Sequence, residues 1–273
     1  MKHVVDSNFL QCEALRAYLS KSLRHYVVMT DYAFMEAYKA ATLDMLYRSM
    51  EILSQYPKQV IVLKGTQTVR LLSGRPSHLQ RRLVDVNGTR AFSEFCRHLA
   101  AARCGNQELE AQLLYRARAA RVQMNRIDGG AQEFGPVLDL ITNLFSDSEQ
   151  KIIRTGSPYT EVMGETMVNH ILSMAAMLCK RHAPKIKSPS ATEIRNMYLF
   201  RVALCVHLLA HRWMSVGGVG EATTEKIRND LIDVSFAAYA TYFDGILSSD
   251  KKVNDIYGKA VWLLNNVCVA TAQ

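Results

Sequence analysis

The sequence predicts an α/β fold, a mainly parallel sheet flanked by helices with an all-helical insertion between strands 3 and 4. Three observations predict it. Short apolar, β-branched runs at Val4-Val5, Tyr26–Met29 and Val60–Leu63 alternate with stretches of helical spacing in the first third. From about Gly65 to Val216 the periodicity is helical, broken only by turn signals. A strand-like run, Phe243–Ser248, then returns near the end. The expected core is therefore residues 1–64 plus 221–273, with 65–220 as a helical insertion or cap. An insertion this long is tolerable because closure entropy grows only slowly with loop length.

Each element has its own signal. Val4-Val5 is a buried strand ending on Asp6, and Phe9–Ser22 carries helical spacing through Leu10, Ala14, Leu15, Tyr18 and Leu19. Tyr26–Met29 is the second strand, followed by one helical stretch from Asp31 to Ser54. Val60–Leu63 is too dense in β-branched residues to favour a helix. Within the helical block, Gly74–Ser77, Asn87-Gly88 and Asp128-Gly129-Gly130 read as turns or loops, and Cys104–Asn106 as a helix end. Gly156-Ser157-Pro158 and His182-Ala183-Pro184 separate later helices, and Ser188-Pro189-Ser190 leads into one running to about Val216. Thr223–Tyr239 and Asp250–Asn266 are the helices on either side of the last strand.

Composition narrows the function classes. The 273-residue chain carries a net charge of +8, which favours a polyanionic partner. Between Arg70 and Arg126 there are eleven arginines and no lysine, against four acidic residues. Arginine suits phosphate because its planar fork donates two parallel hydrogen bonds. Arg70, Arg75, Arg81, Arg82, Arg116, Arg118 and Arg121 are the candidate nucleic-acid contacts. The plainer reading is a solvated helical face. Six scattered cysteines without CxxC spacing argue for reduced, mostly buried thiols and a cytoplasmic setting. No secretory signal is expected, because Asp6 breaks the N-terminal apolar run. Ile171–Leu178 and Val202–Ala210 are too short to span a bilayer, so no membrane partner is expected. The run Ser215–Gly220 lacks the Lys-Ser/Thr of a P-loop and reads as a linker or hinge.

The chemistry concentrates at strand ends. If the first and last strands lie side by side, Asp6 and Asp250 converge, and two carboxylates so placed call for a divalent cation. Glu36 lies six residues beyond Thr30 at the end of strand two, and Asp233 lies in the helix before the final strand, with Asp230 one turn earlier. Oxygen-only ligation suits Mg²⁺ or Mn²⁺. Each acid has a plainer reading: Asp6 and Asp250 as helix N-caps, Glu36 as a solvated acid, Asp230 and Asp233 as charges favouring the start of their helix.

Asp6-Ser7-Asn8, Thr30 to Glu36, Asn229–Asp233 and Phe243–Asp250 together resemble the four motifs of the PIN-domain nucleases, in order. The resemblance covers about residues 1–64 and 221–273, not the helical middle. It implies a metal-dependent endonuclease, RNA favoured over DNA, of a kind often found as a toxin or defence-type effector. Carried over by position, it implies Asp6, Glu36, Asp233 and Asp250 as catalytic metal ligands, with Asp230 an alternative third acid. Asn8 and Ser248 would orient ligands or phosphate. It allows an inhibitory partner protein and a homo-oligomer, though the chain is about twice the size of the small toxins.

Two rival readings stand beside this one. Arg201 and His207 share a helical run at a spacing found in metal-free HEPN ribonucleases. Alternatively, the sheet is a catalytically inactive PIN-like binding module whose helical block docks RNA or a partner protein.

Overall fold

Four short runs rich in β-branched residues form one parallel sheet: β1 (Lys2–Val5), β2 (Tyr26–Met29), β3 (Val60–Val62) and β4 (Gly245–Leu247), in the order β3-β2-β1-β4. This is a computed structural model, and it describes residues 1–38, 42–186, 189–216 and 223–270. The fold is α/β and mostly helical. The chain divides into two compact units, each assembled from separate stretches of sequence.

The first unit holds Met1–Val69, Gln80–Ile127 and Tyr242–Asn254. Val4, Val5, Val27, Val28 and Met29 are fully buried, as the middle strands of a parallel sheet require. Helix α1 (Glu13–Ser20) carries the chain from β1 to β2 and buries Leu15 and Leu19. It is preceded by a 3-10 turn, Ser7–Phe9, so the expected helix from Phe9 begins four residues later. Between β2 and β3 come α2 (Asp31–Tyr38) and α3 (Leu43–Gln55), two helices where one was expected. Thr42, in extended conformation, precedes α3. Helix α3 turns Leu46, Met50 and Leu53 inward at helical spacing.

After β3 the chain forms α4 (Thr66–Val69), α5 (Leu79–Leu83), α6 (Val86–Arg103) and α7 (Gln107–Thr142). Helix α6 packs on β3 and covers its free edge. The Thr89 hydroxyl accepts from Val62 N–H at 2.9 Å, Val62 carbonyl accepts from Asp85 N–H at 2.9 Å, and Leu63 bridges Val84. The Asn87-Gly88 turn signal falls inside the first turn of α6, because the Asp85 carboxylate caps it by accepting from Gly88 N–H at 2.9 Å. Gly105, at φ 97, follows the end of α6 as expected. The loop expected at Asp128-Gly129-Gly130 is instead part of α7, which also runs through Pro136. Each glycine costs a helix only about 1 kcal/mol against alanine.

The second unit holds Arg70–Leu79, Asp128–Thr241 and Asp255–Gln273. It comprises the end of α7, then α8 (Asp147–Thr155), α9 (Glu161–His182), α10 (Ala191–Asn196), α11 (Tyr198–Ser215), α12 (Thr224–Ala240) and most of α13 (Lys251–Ala270). Helix α11 is its axis, buried on nearly every face and packed against α8, α9, α10 and α12. The helix expected from Ser190 to Val216 is broken at Met197, whose extended ψ of 140° separates α10 from α11. The units thus divide elsewhere than at 64/65 and 220/221. Helix α6 belongs with the sheet whose edge it covers, and α12 belongs with α11, against which it packs. Residues 217–220, the expected glycine hinge, lie outside the described residues.

Two further expectations meet the structure here. Ile171–Leu178 lies within the 22-residue α9, which by length and a mean hydropathy of 1.2 is apolar enough to cross a membrane. Its Met163, Met167, Ile171, Met174 and Ala175 are buried, while Val162, Leu172 and Met177 are exposed. The five cysteines with described side chains are free thiols, but only Cys96 and Cys205 are buried. Burial pushes the Cys205 thiol up to about 12.

One glycine is required by close approach. Gly245 opens β4 directly opposite His3, and a Cβ there would lie 2.3 Å from the His3 ring. That ring is held by Tyr18 Oη at 2.8 Å from Nδ1. Gly245→Ala is expected to lower stability by about 1–3 kcal/mol, the scale of overpacking a tight site. Denaturant unfolding checks it; a midpoint equal to the wild type would show that the His3 ring yields freely.

Candidate active site

The site is built by the sheet's strand order. β2 and β3 lie on one side of β1 and β4 on the other, so the order reverses between β1 and β4. Ligands of open parallel sheets bind beyond the carboxyl ends of the strands at such a reversal. The two strands pair Val4 with Ile246 and Val5 with Leu247, and Asp6 N–H extends the ladder to Leu247 carbonyl at 2.9 Å. Asp6 and Ser248 are therefore the first residues past the two strands, side by side at the crevice.

Asp6 is only 1% exposed. Its Oδ2 accepts from Ser248 Oγ at 2.7 Å, and that hydroxyl accepts from Asp250 N–H at 3.0 Å. On the other side, Ser7 Oγ donates to Glu36 Oε2 and lies 3.4 Å from Asp6 Oδ1. Ser248 thus joins the Asp6 carboxylate to the backbone of Asp250, and Ser7 stands between Asp6 and Glu36. Helix α2 delivers Glu36 to this point. It begins where Thr30 ends β2, and the buried Thr30 hydroxyl accepts from Ala33 N–H at 3.1 Å to cap it.

Asp6 and Asp250 also cap helices. Asp6 accepts from Asn8 N–H at 3.5 Å and Asp250 Oδ1 from Lys252 N–H at 2.6 Å. Asp250 Oδ2 lies 3.9 Å from the Lys252 ammonium, which sets a positive charge against the acidic group. The plainer reading of both aspartates as N-caps therefore holds alongside their place at the crevice.

Asn8 is exposed and meets Asp6 only through its backbone N–H. The bridging side chain is instead its neighbour Ser7, to which sequence alone assigns no role. Lys252 was also missed; its signal was the Lys251-Lys252 pair after Asp250. Asp31, at the end of β2, was missed as well. It accepts from Thr66 N–H at 2.6 Å and Thr66 Oγ1 at 2.7 Å, bracing the chain beyond β3. Burial pushes the Asp31 carboxyl up, and the Thr66 bonds oppose the shift.

Asp230 and Asp233 lie on α12 in the second unit, Asp230 buried and Asp233 half-buried. Among the arginines, Arg81, Arg116, Arg118 and Arg121 are exposed in the first unit and Arg82 is half-buried there. Arg70 and Arg75 belong to the second unit. Arg201 and His207 share α11 but meet different surroundings. The Arg201 guanidinium donates to the Arg195 and Thr241 carbonyls, while His207 sits against Phe145, His170 and His211.

The donor set at the crevice is all oxygen, which suits a hard cation. Among the described residues no group of three or more His, Cys, Asp or Glu is arranged to hold a metal ion. Mg²⁺ rarely uses such a cage; it keeps several waters and takes one or two carboxylates together with substrate phosphate. Asp6 with Glu36 or Asp250 fits that mode. Compared with known proteins, the chain matches no family model, no curated protein and no solved structure.

Proposed function

We propose that this protein is a metal-dependent endonuclease with a PIN-like core, acting on RNA. One observation carries the reading: a buried aspartate at the strand-order reversal, linked through Ser248 to Asp250 and flanked across Ser7 by Glu36. Asp6, with Glu36 or Asp250, would hold Mg²⁺ or Mn²⁺ together with substrate phosphate. Such an ion, when bound, lowers the pKa of water and steadies charge on a phosphate. Ser248 fixes the Asp6 carboxylate and Ser7 fixes Glu36, so both acids are oriented before substrate arrives. The exposed arginines of the first unit would hold the phosphate backbone, contributing affinity with little sequence preference. A role as a toxin or defence-type effector in the cytoplasm, restrained by a partner protein, goes with this reading.

The dual use of Asp6 and Asp250 as helix caps favours a second reading, a non-catalytic binding module. Cleavage of single-stranded RNA in Mn²⁺ or Mg²⁺, with and without EDTA, separates the two. Metal-dependent cleavage abolished by EDTA is the expected result. RNA binding without cleavage in either metal would leave the binding module standing, and cleavage that persists in EDTA would remove the metal-dependent mechanism.

A further inference from the structure

We propose that the second unit holds a binding site for a small aromatic carboxylate, independent of the crevice at the sheet. A cavity of about 370 Å³ lies there among α8, the turn that follows it, α9, α11 and α13. Sites for small ligands span about 300–1,000 Å³, so this space suits a compact organic body rather than a bare ion.

The walls select an apolar ring. Ile153, Met167, Leu208 and Leu263 line the cavity, and all four are buried. Trp262 lines it too, yet it is 59% exposed. An indole left so open to water is an aromatic surface that a second flat ring would cover. Tyr159 and His211 form a polar part of the lining, joined by a hydrogen bond of 2.7 Å between Tyr159 Oη and His211 Nδ1. Burial pulls the His211 pKa down to about 4, so near neutral pH this pair carries no charge.

The ionic lining selects the carboxylate. It consists of Arg212, Lys259 and Asp255. The Lys259 ammonium donates to Asp255 Oδ2 at 3.0 Å, whereas the Arg212 guanidinium lies 3.8 Å from that same oxygen, beyond hydrogen-bond reach. Two cations thus share one anion, and the Arg212 side chain makes no hydrogen bond among the described residues. Its planar fork matches a carboxylate with two parallel, charge-assisted bonds. One further negative charge balances the three ionic groups, which a dianionic phosphate would overshoot.

Isothermal titration of the full chain with 2-naphthoate tests the assignment. The comparison probes are 2-naphthamide, of similar shape without the charge, and 2-naphthyl phosphate, with a second charge. Saturable binding of 2-naphthoate is expected, tighter than the phosphate and at least about tenfold tighter than the amide, because its bond to Arg212 is charge-assisted. Arg212→Gln should weaken 2-naphthoate about tenfold or more and leave the amide unchanged. Trp262→Ala should weaken both alike. Both side chains are partly exposed, so the melting temperatures of the free variants should match the wild type. No saturable binding of 2-naphthoate, or wild-type affinity in both variants, overturns the site. Amide bound as tightly as 2-naphthoate overturns the ionic part, and phosphate bound more tightly overturns the carboxylate. Asp6→Asn should bind 2-naphthoate as the wild type does; altered affinity there would overturn the independence of this site from the crevice.

Discussion

Asp6→Asn is expected to lower Mn²⁺-dependent RNA cleavage at least about a hundredfold, the scale on which groups that move or stabilise charge at a reacting centre are lost. Asparagine keeps the shape of the buried side chain and one oxygen for the cap at Asn8 N–H, and it is as good an N-cap as aspartate. The negative charge is removed, and the oxygen that accepts from the Ser248 hydroxyl becomes an NH2 that can donate to that hydroxyl instead. Fold and cap should therefore survive, and the melting temperature should hold or rise as repulsion from Glu36 and Asp250 is relieved. Ser248→Ala tests the orienting role separately. It removes the hydroxyl between Asp6 and Asp250 N–H, and groups that orient metal ligands typically contribute about 10–100-fold. Kinetics at several Mn²⁺ concentrations would read both variants. Full activity in Asp6→Asn would leave the aspartate a helix cap and nothing more.

The second large effect is on stability in mild acid, and it belongs to the second unit. His207 is fully buried and His211 nearly so, and the Nε2 atoms of both lack hydrogen-bond partners among the described residues. His170 Nδ1 lies 3.4 Å from His207 Nδ1, and Tyr159 Oη lies 2.7 Å from His211 Nδ1. Burial pulls the His211 pKa down from 6.5 to about 4, with Lys259 adding to the shift. Burial also holds His207 well below its ordinary value, helped by His211 and His170. Above pH 6.5 the folded and unfolded forms are both neutral at His211. As pH falls below that value the unfolded chain takes up a proton that the folded unit refuses, so stability declines until about pH 4. From about pH 7.5 to about pH 5, His211 alone accounts for about 2 kcal/mol, and His207 acts in the same direction. Calorimetric melting across this range should show the loss. His211→Phe should flatten it by about 2 kcal/mol; a pH slope identical to wild type would remove the buried histidine as its cause.

Much of the sheet was legible because parallel strands buried on both faces leave dense β-branched runs, as at Val27-Val28 and Val60–Val62. Helix boundaries were less so. Asn87-Gly88 is a turn signal in isolation, and only the cap from Asp85 turns it into the start of α6. Met197 carries no breaker chemistry at all, yet its extended backbone parts α10 from α11. At the site, the strand-end logic pointed to Asp6 and Asp250, which follow the ends of the two paired strands, while Ser248 entered only through the resemblance. Ser7 was not legible as the bridge. Its role depends on the 3-10 turn that points its hydroxyl toward Glu36, 29 residues away. Asp230 and Asp233 could not be told apart from sequence, since both ride on one helix, α12, which belongs to the other unit.

The bond between Ser248 and Asp6 joins residues 242 positions apart. A ribosome adding about 5–20 residues per second leaves Asp6 waiting on the order of ten to fifty seconds for its partner. The acidic crevice is consequently among the last features of the chain to assemble. A nascent or truncated polypeptide would carry β1, β2 and β3 but no reversal in strand order, and so no crevice. On the proposed reading as an RNA-cutting enzyme, this timing would keep the growing chain harmless to the message and the machine that are making it.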